Sequence, residues 1–220
     1  MLHGCEQDAD AIAASARWND LAEKEGFLVL YPNQQWGRNP YNCWNWFLPV
    51  NQTAVAGEPA EIAAAVTAAK LLYPVDPDRV YVAGLSAGAA TAAALLSCYP
   101  DVFAAGGIHS GVSYGLAATP ADALDVMKNG PGSRKTQGLC DPGSYKGSVF
   151  VIHGSSDPVI APSNADRVAA DFSGARVREL IVPGLGHAWS GGAPGLPASD
   201  PNGPDATGLM WSFFSAAKRR

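Results

Sequence analysis

Arg79-Val80-Tyr81-Val82-Ala83-Gly84-Leu85-Ser86-Ala87-Gly88 decides the reading of this 220-residue chain. Arg79 to Ala83 is a short apolar run of the kind that forms a buried strand, and Ala89 to Cys98 reads as a helix. The five residues between them, Gly84 to Gly88, spell G-x-S-x-G. Strand, G-x-S-x-G, helix is the context of a nucleophile elbow. The turn is so tight that its flanks tolerate little beyond glycine. The serine hydroxyl is pushed into the open above the sheet, and the following helix presents its positive end where an oxyanion would form.

Outward from the elbow, strands and helices alternate. Phe27 to Tyr31, stopped by Pro32, reads as a buried strand, preceded by a helical stretch from Ala9 to Lys24. Gly57-Glu58-Pro59 opens a helix through Leu72 with proline in its first turn, and Val75-Asp76-Pro77-Asp78 turns into the elbow strand. Ala104–His109, Ser148–His153 and Val177–Val182 read as further strands. Helices are predicted over Ala121–Lys128 and near Asn164–Phe172. Asp205 can cap a final helix whose apolar face is Leu209, Met210, Phe213 and Phe214. This alternation predicts an α/β fold with a mostly parallel sheet covered on both sides.

Serine is a poor nucleophile at its own pKa. It needs a base to take its proton and an acid to hold that base. The chain has four histidines. His3, His109 and His153 lie at predicted strand ends and suit local hydrogen bonding. His187 stands in a glycine-rich loop, Gly184 to Gly192, beyond the last predicted strand. In a parallel sheet that loop opens at the same carboxyl edge as the elbow. Asp157, just past the strand ending at His153, is the candidate acid in the order Ser, Asp, His; Asp122 and Asp141 do not directly follow a strand. For the oxyanion, the Ala87 N–H is one candidate donor, and the Cys5 N–H in the loop Leu2-His3-Gly4-Cys5 is the second.

Composition narrows the partners. The net charge of −5 leaves no electrostatic footprint for nucleic acid. The one basic cluster, Lys218-Arg219-Arg220, ends the last predicted helix, where cations complement the dipole. No run of about 18 apolar residues is long enough for a membrane span. The length and the 47% hydrophobic content suit one catalytic domain over residues 1–220.

Several segments together carry a resemblance: Leu2-His3-Gly4-Cys5 with Gln7-Asp8-Ala9, Cys43-Trp44-Asn45-Trp46-Phe47, Gly57-Glu58-Pro59, Val75 through Gly88, and Gly186-His187-Ala188-Trp189-Ser190-Gly191-Gly192. The chain resembles the polyhydroxybutyrate (PHB) depolymerase family of esterases, related to feruloyl and acetylxylan esterases, over nearly its whole length. The resemblance implies an α/β-hydrolase fold and a serine carboxylic-ester hydrolase without metal or organic cofactor. Ser86 would be the nucleophile, Asp157 the acid and His187 the base, with Cys5 and Ala87 supplying the oxyanion donors. The substrate would be an ester, polymeric or short-chain: a polyhydroxyalkanoate, or a feruloyl or acetyl ester of a polysaccharide.

The same resemblance implies a Cys5–Cys43 bridge, which would fix the donor loop and restrict the unfolded chain by on the order of 3 kcal/mol. The even cysteine count permits a second bridge between Cys98 and Cys140, which sequence does not fix. Disulfides fit an extracellular or periplasmic location, although the chain carries no signal peptide. Trp44, Trp46 and Trp189 are candidates to line a substrate groove, or are simply buried, and Tyr114 is a candidate for its rim.

The chain departs from the family pattern at its start. The oxyanion loop normally follows a strand inside the sheet, with further strands before it; here Met1 and Leu2 alone remain. A sheet lacking those N-terminal strands would leave the elbow strand with unpaired backbone groups, and a complete chain of this kind is expected to be poorly stable. Glu6 stands where the family usually has threonine, and Ser155-Ser156 also departs from its pattern. Acyl transfer or peptide cleavage on the same triad, and an inactive fragment or binding scaffold, are the competing readings.

Overall fold

The computed structural model describes residues 1–219. Its centre is a four-stranded parallel sheet in the order β1 (Tyr81–Leu85), β2 (Ala105–His109), β3 (Ser148–Gly154), β4 (Arg176–Val182). The register runs Tyr81 opposite Ala105, Ala105 opposite Ser148 and Ser148 opposite Arg176. Successive side chains alternate between two apolar layers, as the pleat requires. Val82, Ile108, Val149 and Val151 pack with Ile62 and the helix α4 (Ala87–Cys98). Ala83, Leu85, Phe150 and Ile152 pack with Met210, Phe213 and Phe214 of α7 (Ala206–Phe214). The edge strand β4 is blunted by exposed Arg176, Arg178 and Glu179.

The remaining helices are α1 (Ala9–Ala16), α2 (Trp18–Glu25), α3 (Gly57–Leu72), α5 (Pro120–Asn129) and α6 (Ser163–Asp171). Where one helix was predicted over Ala9–Lys24 there are two. Arg17, at φ 58°, breaks the run, so that Ile12 and Ala16 are buried and Trp18 turns to lie parallel to the Phe214 ring. A capping box of Thr119 and Asp122 starts α5. Two residues of β5 (Trp189–Ser190) pair with β6 (Ser199–Asp200), a small ladder that no sequence period announced. The final helix ends at Phe214, so the basic cluster does not sit on its last turn. Arg219 pairs instead with Asp78 at 3.0 Å and donates to the Asp101 carbonyl; Arg220 lies outside the described residues.

The Phe27–Tyr31 strand is corrected. The segment is extended but joins no ladder, and Leu28 and Leu30 are exposed. A gap in the sheet explains this. Leu2 bridges Gly84 in parallel, its N–H donating to the Ala83 carbonyl and its carbonyl accepting from Leu85, while the Met1 amino group donates to the Leu30 carbonyl. Met1 and Leu2 thus occupy only one end of the space between residues 27–31 and β1. The rest is a groove of about 1170 Å³, walled by Ile62 and Val66 on one side of the sheet plane and Trp211 and Phe214 on the other. By the alternation of a parallel ladder, the Ala83 N–H and Tyr81 carbonyl face this groove.

Candidate active site

All candidate catalytic side chains lie at or beyond the carboxyl ends of the strands, where ligands bind in open α/β sheets. Ser86 joins β1 to α4 at φ 57° and ψ −120°, a conformation that costs an L-residue on the order of 1–3 kcal/mol and persists only where the surroundings enforce it. They do so by close approach. A Cβ on Gly84 would lie 2.3 Å from the Gly88 carbonyl, and one on Gly88 would lie 2.5 Å from the Leu2 and His3 carbonyls. The glycines of the motif therefore let strand, helix and the 2–5 loop touch backbone to backbone.

That loop is held from several directions. The Gly4 N–H donates to Gln7 Oε1 at 2.9 Å. His3 donates through Nδ1 to the Gly4 carbonyl and accepts from the Gln34 N–H at Nε2; its burial lowers its pKa and favours this neutral form. Cys5 is joined to Cys43 by a disulfide. Gln34 donates to the Cys43 carbonyl and to the buried carboxylate of Glu58, which also accepts from the Asn45 N–H and side-chain amide. A Cβ on Gly4 would stand 3.4 Å from Ser86 Cβ, so the loop abuts the elbow. Among the described residues neither the Cys5 nor the Ala87 N–H donates to a protein acceptor.

Asp157 and His187 are brought together: Nδ1 of His187 lies 2.7 Å from Asp157 Oδ2. The other carboxylate oxygen, Oδ1, accepts from the Val159 and Ile160 N–H groups at 2.9 Å each. Burial pushes the Asp157 carboxyl up, but the bonds from His153, His187 and Ile160 outweigh it and hold the group well below the usual carboxylate range. It is therefore ionised at neutral pH, and His187 keeps its ring hydrogen on Nδ1 toward it. One residue ties the elbow to the His187 loop. The His109 carbonyl accepts from the Ser86 N–H at 3.0 Å, and His109 Nε2 accepts from the Ser190 N–H at 3.2 Å.

The aromatic candidates are corrected. Trp44 (3% exposed), Trp46 (7%), Trp189 (0%) and Tyr114 (2%) are all interior. Trp189 stacks on His109 and donates to Thr207 Oγ1. Tyr114 donates to the Gln52 carbonyl and accepts from the Cys140 N–H. Trp189 and Tyr114 are placed by these polar partners, whereas Trp44 packs against the His3 ring and Trp46 against Phe47; of the two readings of the tryptophans, groove or core, burial is the one found. Cys98 and Cys140 form a second disulfide. Among the described residues no three His, Cys, Asp or Glu side chains converge where a metal ion could sit. The Gln34–Glu58–Asn45 network had no motif to announce it.

Residues 1–182 match the family described as esterase PHB depolymerase. The chain belongs to this family. Its relatives include poly(3-hydroxyalkanoate) depolymerase C of Paucimonas lemoignei, 39% identical over 78% of this chain and 43% of that protein. A probable acetylxylan esterase A of Aspergillus flavus is 28% identical over 79% and 60%. This chain thus spans about two to three fifths of the lengths of these curated relatives. Among solved structures, acetyl xylan esterase from Aspergillus awamori superposes with a TM-score of 0.74 at 19% identity, covering 97% of this chain and 86% of that one. The fold of this family member is accordingly an α/β-hydrolase fold. No helix among the described residues is long and apolar enough to cross a membrane, and the two disulfides fit an oxidising compartment.

Proposed function

We propose that the chain is a serine carboxylic-ester hydrolase in which Ser86 is the nucleophile, His187 the general base and Asp157 the acid that orients it. The observation that carries the reading is the 2.7 Å Asp157–His187 bond, taken together with an elbow serine held at positive φ. Family membership supports it independently.

In this mechanism Ser86 Oγ attacks the ester carbonyl as His187 Nε2 takes its proton. Asp157, bonded to Nδ1, stabilises the imidazolium that forms. Negative charge develops on the carbonyl oxygen, where the Cys5 and Ala87 N–H groups, free of protein acceptors, donate to it. His187 then protonates the departing alcohol, leaving an acyl group on Ser86. Water, deprotonated by His187, attacks the acyl carbon; collapse releases the acid and returns the proton to Ser86.

The substrate class we propose is a short-chain or polymer-linked ester: a polyhydroxyalkanoate, or a feruloyl or acetyl ester on a polysaccharide, in line with the names of the relatives. The location proposed is extracellular or periplasmic. The test is hydrolysis of p-nitrophenyl butyrate with Ser86→Ala in parallel. Turnover lost in the variant, together with fluorophosphonate labelling of Ser86 in the wild type, supports the reading. Equal turnover in both proteins overturns it.

A further inference from the structure

His153, the penultimate residue of β3, has no role in the three-residue machinery above. Yet its side chain is fully buried and lies 3.4 Å, through Nε2, from Asp157 Oδ2, the same oxygen that His187 approaches from elsewhere. Nε2 also lies 3.0 Å from the Ile160 carbonyl. A carbonyl only accepts, so the ring hydrogen must be on Nε2. Nδ1 is then the bare nitrogen, and it is buried with no partner. Leaving a buried acceptor unsatisfied costs free energy, and here it accompanies an Nε2–H that bonds the Ile160 carbonyl with Asp157 Oδ2 3.4 Å away.

The geometry points to His153 as a positioning residue: its Nε2–H, shared between the Ile160 carbonyl and Asp157 Oδ2, sets the rotation of the carboxylate so that Oδ2 meets His187 Nδ1. This rests on the esterase reading of Ser86, His187 and Asp157. The two amides on Oδ1 anchor one oxygen only. The plane of the carboxylate is fixed by what flanks Oδ2, and His153 and His187 are those flanks. The group matters most when His187 gains its second proton, because the imidazolium then pulls on Oδ2 and a twisted carboxylate would stabilise it less. The titratable groups around His153 are His109 on β2, Glu179 on β4 with Asp166 of α6 behind it, and Asp157 and His187 in the loops.

The sign of the effect follows. Without this donor the carboxylate turns away from His187 Nδ1, so the imidazolium is stabilised less and the acid limb of the pH profile moves to lower pH. The test compares His153→Leu, which lacks the donor, with His153→Gln, whose amide can place N–H near Nε2. Rates are divided by active sites counted with a fluorophosphonate, so that misfolded protein drops out. Expected for the leucine variant is a kcat about 10-fold lower at unchanged KM, with the acid limb of kcat/KM displaced downward by about half a pH unit. The glutamine variant should recover most of both.

A merely structural role would lower the count of active sites and Tm while leaving the limb in place, and that result overturns the proposal. Should neither variant fold, the wild type still decides. Ring ¹⁵N shifts must show hydrogen on His153 Nε2, and a bare Nε2 overturns the assignment. The Ser86→Ala control separates failure of the esterase reading, which would leave hydrolysis intact there, from failure of the role given to His153.

Discussion

Acidification should weaken this protein through His109, by an amount the structure sets. The ring is fully buried, stacked on Trp189, and its Nε2 accepts from the Ser190 N–H. Burial first, then the neighbouring His153 and His187, lowers its pKa from 6.5 to about 3. The folded state therefore refuses a proton that the unfolded chain accepts, and stability falls as pH drops from 6.5 toward 3. Between pH 7 and pH 4.5, linkage over that shift amounts to about 2.5 kcal/mol, or a Tm lower by roughly 5–10 °C for a chain of this size. Asp157 has the opposite sense of shift. Its contribution is present above the unfolded carboxylate pKa and is lost only as pH falls through its depressed folded value, so it lies outside this window. The assay is urea denaturation at both pH values for the wild type and His109→Gln, whose carbonyl can still accept from Ser190. The variant should be less stable at pH 7 yet lose about 2 kcal/mol less on acidification. Equal losses in the two proteins would refute the assignment of a buried neutral imidazole at this position.

Three further outcomes are expected. Asp157→Asn should lower kcat on the order of 10³- to 10⁴-fold with little change in KM, because the amide can offer His187 the wrong polarity at Nδ1; steady-state kinetics on p-nitrophenyl butyrate reads this. Cys5→Ser with Cys43→Ser should cost about 4 kcal/mol of stability for a 38-residue separation and also lower kcat at least about 10-fold, since the Cys5 N–H loses its anchor. Cys98→Ser with Cys140→Ser, separated by 42 residues, should cost similar stability and leave kcat per active site unchanged.

Much of the fold was legible because its strands are short, apolar and bounded by glycine, proline or aspartate. The segments predicted at 104–109, 148–153 and 177–182 fall on β2, β3 and β4 within a residue or so. Residues 27–31 have the same composition, and they failed as a strand for a reason outside themselves. A strand is defined by its partner, and the space between this segment and β1 holds only Met1 and Leu2. The break at Arg17 was hidden for a related reason. Helical composition continues across it, and the turn follows from where Trp18 must point to reach Phe214.

The site divides along the same line. Ser86, Asp157 and His187 stood out because chemistry restricts which residue types can occupy those places and chain order restricts where to look. The aromatic candidates had neither restriction. A tryptophan in a loop is drawn toward solvent or core by partners the sequence does not show, and Thr207, His109 and Gln52 drew Trp189 and Tyr114 inward. His153 shows the difference most clearly. As a histidine at a strand end it reads as a local hydrogen-bonding residue, which its bond to Ile160 makes it. What gives that bond a further consequence is that the turn from Gly154 to Ile160 folds Asp157 back over the same ring. Local chemistry was readable from the residue, whereas its link to His187 is created by the turn and exists only in the folded chain.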